Sequence, residues 1–480
     1  MGNPTGFIYN QRKNSYKTSE KDRINNFDEF HEALSEEERI LQASRCMDCG
    51  VPFCQAGLDI GGTTIGCPLN NLIPEWNDLL YKGNYKEAYL RLIKTNNFPE
   101  FTSRVCPALC EKACTLGESY EAVSTRENEL SIIEKAYAMG YAAPKPPKSR
   151  TDKKIAIVGS GPSGLAAADQ LNKRGHNVTV YERSENIGGL LTNGIPNMKL
   201  DKGIVKRKLD VLAEEGINFI SKINVGKDIS VSTLQKNYDA VILAIGATKP
   251  RDIKVKGRNG TDIFFAVDFL TDINNLLQAG NLDMVNNIIN NKNVVIIGGG
   301  DTGNDCVATS VRLGAKSIVQ LEMLEKPPIE RAESNPWPQW PKVLKTDYGQ
   351  EEAIYKYGKD PRIFSTTVDE FIRDDEGKLT GAKTIKVSRD NNGSFVNLKD
   401  TEKIINCDIA LIAAGFLGPE EYLLTSAKIN MPSKDFQTNK GNIFMTGDAR
   451  TGQSIVVKAI SDGRKVASIV DEKLMGYTNL

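Results

Sequence analysis

This sequence predicts an α/β protein: two nucleotide-binding units preceded by a helical, cysteine-rich segment. Three observations carry the prediction. Glycines at G-x-G-x-x-G spacing follow an apolar run at Gly159, Gly161 and Gly164. The same pattern returns at Gly298, Gly300 and Gly303, and seven of the nine cysteines crowd between Cys46 and Cys114.

Composition narrows the class. The 480 residues suffice for about three domains at ~150 residues each. Sixty-one basic and sixty-one acidic residues cancel, so no broad field favours nucleic acid or an anionic membrane. Apolar residues make up 40%, enough for ordinary cores, and no apolar run approaches the ~18 residues of a membrane span. The N-terminus, with Gln11-Arg12-Lys13-Asn14-Ser15, is polar and is expected to hold no signal peptide. A soluble, cytoplasmic protein is the expectation, and in that compartment crowded cysteines argue for metal rather than disulfides. The two histidines, His31 and His176, lie far apart, which argues against a histidine-rich metal site.

In chain order, residues 1–30 are polar and are expected to lie as an arm over the surface or a partner. Ser35 and Glu38 form a capping box that starts a short helix through Ile40, Leu41 and Ala43. It runs into Cys46-Met47-Asp48-Cys49 and Cys54, then a Gly-rich excursion, Gln55 to Gly66, and Cys67. Leu72 to Ile93 reads as helices with Trp76, Leu79, Leu80, Tyr89, Leu90 and Leu92 on the apolar face. Cys106, Cys110 and Cys114 follow. C-x2-C-x4-C and C-P-x2-C-x3-C can wrap a polynuclear iron–sulfur cluster. Zinc is the other reading, although its sites favour two C-x2-C pairs and only one is present.

Ala143 to Arg150 is Pro-rich and basic, the clearest boundary in the chain. Ile155–Val158 then reads as a strand buried on both faces, followed by the glycine turn, a helix to Arg174, a stop at Gly175 and a strand Asn177–Tyr181. Glu182 closes that strand 18 residues past Gly164, where an acid can accept hydrogen bonds from a ribose. The helix N-terminus faces the phosphates of a dinucleotide. Gly188-Gly189-Leu190-Leu191 is a second glycine loop placed to approach the same ligand, and Tyr238 to Thr248 reads as a buried strand.

At an offset of 139 residues, Asn293–Gly303 repeats the fingerprint, with Glu322 closing the next strand. Two Rossmann-like units imply two nucleotides, and a flavin and a nicotinamide are the pair between which hydride passes directly. Lys326 to Pro361 is too Pro-rich for regular structure and is expected to pack as a loop over the second unit. Cys407 to Gly415 and Asn442 to Asp448 read as further buried strands, and Gln453 onward reads as a helix that could face the flavin ring.

Together the stretches Cys46–Gly50, Thr95-Asn96-Asn97-Phe98-Pro99-Glu100-Phe101, Gly159–Gly164, Gly188–Leu191, Gly298–Gly303, Ala414-Gly415-Phe416 and Thr446–Arg450 resemble the small (beta) subunits of glutamate synthase. The resemblance runs from Met1 to nearly the end. It implies a helical domain with two four-iron (4Fe–4S) clusters over 1–145 and an FAD-binding domain in two parts, 150–250 and 406–480. An NAD(P)H-binding domain over 251–405 is inserted between them. It further implies FAD at Gly159, Gly161, Gly164, Glu182, Gly189, Leu190, Gly447 and Asp448, and NADH or NADPH at Gly298, Gly300, Asp301, Thr302, Gly303 and Glu322. No side chain in it acts as an acid, base or nucleophile.

The family pairing of cysteines gives one cluster Cys46, Cys49, Cys54 and Cys114, and the other Cys67, Cys106 and Cys110. Two clusters need eight ligands, so Glu129, with Glu127 as the fallback, is expected to supply the last. Cys306 and Cys407 are expected spectators. Departures from the family pattern are the long excursion 55–66, Leu109, Asn193 and Asn304.

The activity implied is hydride transfer from NAD(P)H to FAD and single-electron transfer through the clusters to a large (alpha) subunit, which makes L-glutamate from L-glutamine and 2-oxoglutarate. The chain starts Met1-Gly2-Asn3 and so does not look like the glutaminase partner. The competing readings are an NAD(P)H:ferredoxin oxidoreductase subunit and, in a different class, a zinc-stabilised interaction protein on an inactive nucleotide fold. The acid Glu322 favours NADH, while Lys326 or Arg331 could still reach a 2′-phosphate.

Overall fold

The apolar run Lys154–Val158 forms the centre of a five-stranded parallel sheet. In the computed structural model, which describes residues 3–281, 284, 288–432 and 435–480, the strand order is Ile443–Met445, Ala240–Leu243, Lys154–Val158, Asn177–Tyr181, Asn218–Ile220. Helices cover both faces, so the strands carry apolar residues without alternation, and Ile155, Ala156, Ile157 and Val180 are fully buried. Helix Pro162–Arg174 packs along Val456–Met475 and ends, as the sequence predicts, at Gly175 with φ +104°.

A second parallel sheet has the order Ile263–Phe265, Ile409–Ile412, Asn293–Ile297, Ser317–Leu321, Arg362–Ile363. An antiparallel sheet of Thr366–Arg373, Leu379–Arg389, Phe395–Asn397 and Lys403–Asn406 follows it. This corrects the expected division at 405/406. Ile409–Ile412 pairs with both Ile263–Phe265 and Asn293–Ile297, so the chain leaves the second fold only after Ile412. Lys249–Pro250 and Phe416–Gly418 pair antiparallel and form the two-stranded crossing between the folds.

One further expectation is corrected, and one stretch gains structure. The segment 326–361 contains a helix, Tyr348–Tyr357, started by an Asp347–Gln350 capping box and ended by Gly358 at φ +72°. The excursion 55–66 contains a small hairpin, Leu58–Ile60 with Thr63–Ile65.

The N-terminal helices Ile73–Tyr81, Tyr85–Ile93, Pro99–Val105 and Thr125–Ala138 surround Trp76, Leu80, Leu92, Phe98, Phe101, Ile132 and Ile133, all essentially inaccessible. Burial of each such side chain stabilises by about 1.5–3 kcal/mol. Leu90 faces solvent rather than this core, and Thr125–Ala138 buries Ile132, Ile133 and Ala136 in it. The same apolar cluster continues into the first nucleotide fold, so the Pro-rich stretch 143–150 joins packed neighbours. Arg150 fixes it by donating to Asn172 Oδ1, His176 O and Glu215 O at 2.6–2.9 Å. Arg207 adds a bidentate pair with Glu134 (2.8 and 2.9 Å) and stacks over Tyr137 at 3.6 Å.

The N-terminal arm lies on its own chain. Tyr16–Lys17 pairs with His31–Glu32, and the buried Arg23 reaches Glu352 Oε1 at 2.8 Å and Glu351 Oε2 at 2.9 Å. Glu29 meets Arg104 at 2.9 Å and accepts from Asp201 N–H at 2.9 Å. The arm therefore touches all three parts of the molecule. Among the described residues no helix is long and apolar enough to cross a membrane.

Candidate functional site: two nucleotide cradles and a cysteine pocket

The first cradle follows from what a side chain would strike. A Cβ on Gly159 would lie 2.3 Å from Ala244 O, and one on Gly164 would lie 2.1 Å from Gly159 O. Both positions therefore exclude a side chain so that turn, helix and neighbouring strand can pack. Gly161 differs: a Cβ there meets nothing within 4 Å. The open space lies at the N-terminus of Pro162–Arg174, where a pyrophosphate would meet free N–H groups.

Gly189, at φ +56°, brings the second glycine loop against the first, since its Cβ would be 2.8 Å from Gly161 Cα. Ser160 ties the two loops to the acid. Its Oγ accepts from Gly188 N–H (2.8 Å) and donates to Glu182 Oε2 (2.6 Å), which also accepts from Ser160 N–H (3.0 Å). Ser184 N–H donates to Glu182 Oε1 at 2.8 Å. The carboxylate is thus held in place with lone pairs to spare. Leu190, next to Gly189 in the second glycine loop, stands about half exposed. At the far end of the sheet, Gly447 N–H donates to Asp462 Oδ2 (2.6 Å) and Ser454 Oγ donates to Asp448 Oδ1 (2.6 Å). Burial pushes the Asp448 carboxyl above its ordinary range.

The second cradle repeats the first. A Cβ on Gly298 would lie 2.2 Å from Ala413 O and one on Gly303 would lie 2.2 Å from Gly298 O, while Gly300 faces open space. Glu322 Oε1 accepts from Leu324 N–H at 2.8 Å, and its other oxygen lies over Gly299. Asp301 and Thr302 stand accessible at the helix N-terminus. Asn304, a departure from the family pattern, is accommodated by a glycine of the neighbouring helix Tyr348–Tyr357. A Cβ on Gly349 would lie 2.7 Å from Asn304 Oδ1.

The cysteines divide between two places. Cys46, Cys49, Cys54 and Cys114, from segments sixty residues apart, line one pocket with Met47, Phe53, Ile73 and Asn77. Asp48 and Ala108 adopt φ +52° and +61°, and each N–H points at the sulfur two residues back, Ala108 N at 3.4 Å from Cys106 Sγ. Such bonds favour thiolate and tune a cluster. No glycine marks these left-handed positions, so the sequence does not reveal them.

Cys67, Cys106 and Cys110 lie close enough that their thiolates would repel one another. Glu129 is buried within electrostatic reach of Cys67 and Cys106, accepting from Asn96 Nδ2 at 2.7 Å and Thr102 Oγ1 at 2.5 Å. Burial pushes its carboxyl up to about 8, and pushes the thiols of Cys46 and Cys106 up to about 12 and Cys67 up to about 11. A buried thiol donor set of this kind is neutral by itself and becomes a ligand set when metal cations replace its protons, so it fits iron. Among the described residues no three His, Cys, Asp or Glu side chains converge on a single-ion site. Cys306 and Cys407 are buried in the second fold.

Asn97 is a bridge that the residue chemistry alone did not single out. It donates to Asp169 and accepts from Arg464 Nη1 (2.7 Å), tying the cysteine domain to the first nucleotide fold.

Two open phosphate cradles and a cysteine-lined pocket in one chain are the parts of an NAD(P)H-dependent flavin and iron–sulfur oxidoreductase. Residues 23–141 match the family described as dihydropyrimidine dehydrogenase domain II, 4Fe-4S cluster, and residues 153–337 match pyridine nucleotide-disulphide oxidoreductase. The fold is similar to that of FprA, a Mycobacterium tuberculosis oxidoreductase, with TM-score 0.53 and 17% identity over 69% of this chain and 85% of that one. The chain is 47% identical to the glutamate synthase (NADPH) small chain of Bacillus subtilis over 100% of both. It is 44% identical to the glutamate synthase (NADH) of Schizosaccharomyces pombe, over 99% of this chain and 23% of that protein. It belongs to the glutamate synthase small-chain family.

Proposed function

We propose that this chain is the electron-entry subunit of a glutamate synthase, taking electrons from NAD(P)H and delivering them to a large subunit that forms L-glutamate from L-glutamine and 2-oxoglutarate. The observation that carries the reading is that Cys46, Cys49, Cys54 and Cys114 line one pocket in a chain with two nucleotide cradles. Bound FAD would accept a hydride and release its electrons one at a time, which single-electron clusters require.

Gly161, Gly189, Glu182, Gly447 and Asp448 would hold the flavin, with Glu182 fixing a ribose. Gly300, Asp301, Thr302 and Glu322 would hold the nicotinamide nucleotide. The four pocket cysteines would hold one four-iron cluster, and Cys67, Cys106, Cys110 and Glu129 the second. The extent of the S. pombe protein, in which this chain's equivalent is 23%, supports a large partner. Seven free thiols committed to metal favour the reducing cytoplasm.

Anaerobic co-purification with the large chain tests this. Glutamate should form from glutamine, 2-oxoglutarate and NAD(P)H only when both chains are present. Zinc in place of iron, or glutamate formation unaffected by omitting this chain, would defeat the proposal.

A further inference from the structure

Lys199 and Asp305 face each other across the seam between the two nucleotide folds. Lys199 lies in the loop between the second glycine loop and helix Lys202–Glu214; Asp305 lies one turn into Asp301–Arg312 of the second fold. Lys199 Nζ is 3.0 Å from Asp305 Oδ1 and 3.4 Å from Oδ2, and Tyr348 OH donates to the same Oδ1 at 2.8 Å. Asp305 and Tyr348 are buried. Phe30 of the arm stacks on Tyr348 at 5.0 Å, and Met198 and Ala308 complete that apolar cluster. From the second fold, Asn274 Nδ2 donates to Asn193 O (2.9 Å) and Ile195 O (3.0 Å) of the same loop.

The folds share only two chain crossings, near 249–250 and 416–418. Two crossings form a hinge and leave the angle between the folds to non-covalent contacts. Hydride transfer needs its two carbons at about 3–3.5 Å, and a misplacement of about 1 Å costs about 100-fold in rate. A pair whose aspartate is buried and whose lysine is largely covered, anchored one turn from the second cradle, is placed to set that angle. Lys199 follows Leu190 of the flavin-side glycine loop by nine residues, so the pair connects the segment after that loop to the helix that opens at the second cradle.

We propose that Lys199 is a positioning residue: its pair with Asp305, backed by Tyr348, sets the nicotinamide fold on the flavin fold for hydride transfer. The proposal rests on the flavin–nicotinamide reading above. Lys199 contacts neither nucleotide cradle's glycines, so its removal should spare binding and affect geometry.

The test uses the full-length chain, anaerobically loaded with FAD, as wild type, K199M, K199R and the charge swap K199D/D305K. Single-turnover reduction by saturating NADH or NADPH gives the rate, titration gives nicotinamide affinity, and hydrogen exchange over 196–200 and 348–357 reports the seam. K199M should keep its flavin, slow saturated reduction by about 100-fold with a much smaller change in affinity, and speed exchange in both segments. K199R and the swap should recover most of the rate. Wild-type reduction in K199M, or slow exchange at the seam despite the substitution, overturns the proposal. So does flavin loss in both K199M and K199R. A wild-type chain that reduces its flavin but never supports glutamate formation defeats the functional proposal alone.

Discussion

Gly463 lets helix Val456–Met475 lie directly against Ser163: a Cβ built on Gly463 would stand 2.1 Å from the Ser163 carbonyl oxygen. Ser163 is in the first turn behind the flavin cradle, so the C-terminal helix is part of that cradle's wall. Overpacking there has no flexible side chain to yield. G463A is expected to cost about 1–3 kcal/mol and to release flavin more readily, checked by thermal unfolding and flavin content. Unchanged values in both would show that the helices separate freely.

Glu129 is expected to serve the second cluster. E129A should perturb one cluster's spectrum and raise its potential, because a carboxylate adds negative charge at the iron. FAD content should stay at the wild-type level. Electron paramagnetic resonance and redox titration decide, and two unchanged clusters would remove Glu129 from the ligand set.

Cys306 and Cys407 are packed among apolar side chains of the second fold, and burial raises both thiols. Neither lines the cysteine pocket. C306S and C407S should leave the iron content unchanged. Loss of iron in either variant would contradict the assignment.

NADH is the expected preferred donor. Glu322 occupies the end of the second strand, and Arg331, the residue best suited to a 2′-phosphate, spends its guanidinium on Asn335 O (3.2 Å) and Gln339 O (2.8 Å). Lys326 alone remains beside Glu322 and Glu325 in sequence. Steady-state kcat/KM with both nucleotides checks this, and E322Q should narrow the difference. A strong NADPH preference would show that Lys326 outweighs the acids.

Glu38 couples the arm to the first helix of the cysteine domain. Hydrogen bonds from Lys13, Ser35 N–H and Tyr16 hold its carboxyl well below 4.5, at about 2. A depressed carboxyl stabilises the fold above its unfolded pKa and loses that contribution as pH falls through the folded one. E38Q should therefore be less stable than wild type at neutral pH, and the difference should shrink as pH drops below 4.5 towards 2. Thermal melts across that range test it, and a pH-independent gap would exclude the titration.

Local chemistry made part of this molecule legible and distance hid the rest. The two cradles could be read because strand, glycines, helix and closing acid all fall within about 30 residues of chain, although the carbonyls that Gly159 and Gly298 make room for, Ala244 O and Ala413 O, lie far along it. Strand Ile409–Ile412 could be recognised but not assigned to a sheet, because an apolar segment buried on both faces carries no mark of its neighbours. Helix Tyr348–Tyr357 hid among prolines, although Asp347, Gln350 and Gly358 spell its ends. Asp305 reads as one more polar residue on a fingerprint helix. Only the fold shows that Lys199, 106 residues earlier, meets it.

The insertion of one sheet inside another also orders the birth of the two cradles. Ile412 completes the nicotinamide sheet, whereas the flavin sheet lacks an edge until Ile443–Met445 is made. Helix Val456–Met475, which walls the flavin cradle, emerges later still. On the ribosome, where domains fold as units, the nicotinamide cradle can close on the nascent chain before the flavin cradle exists. A chain truncated before residue 443 would therefore keep the site that takes in reducing equivalents and lack the site that receives them.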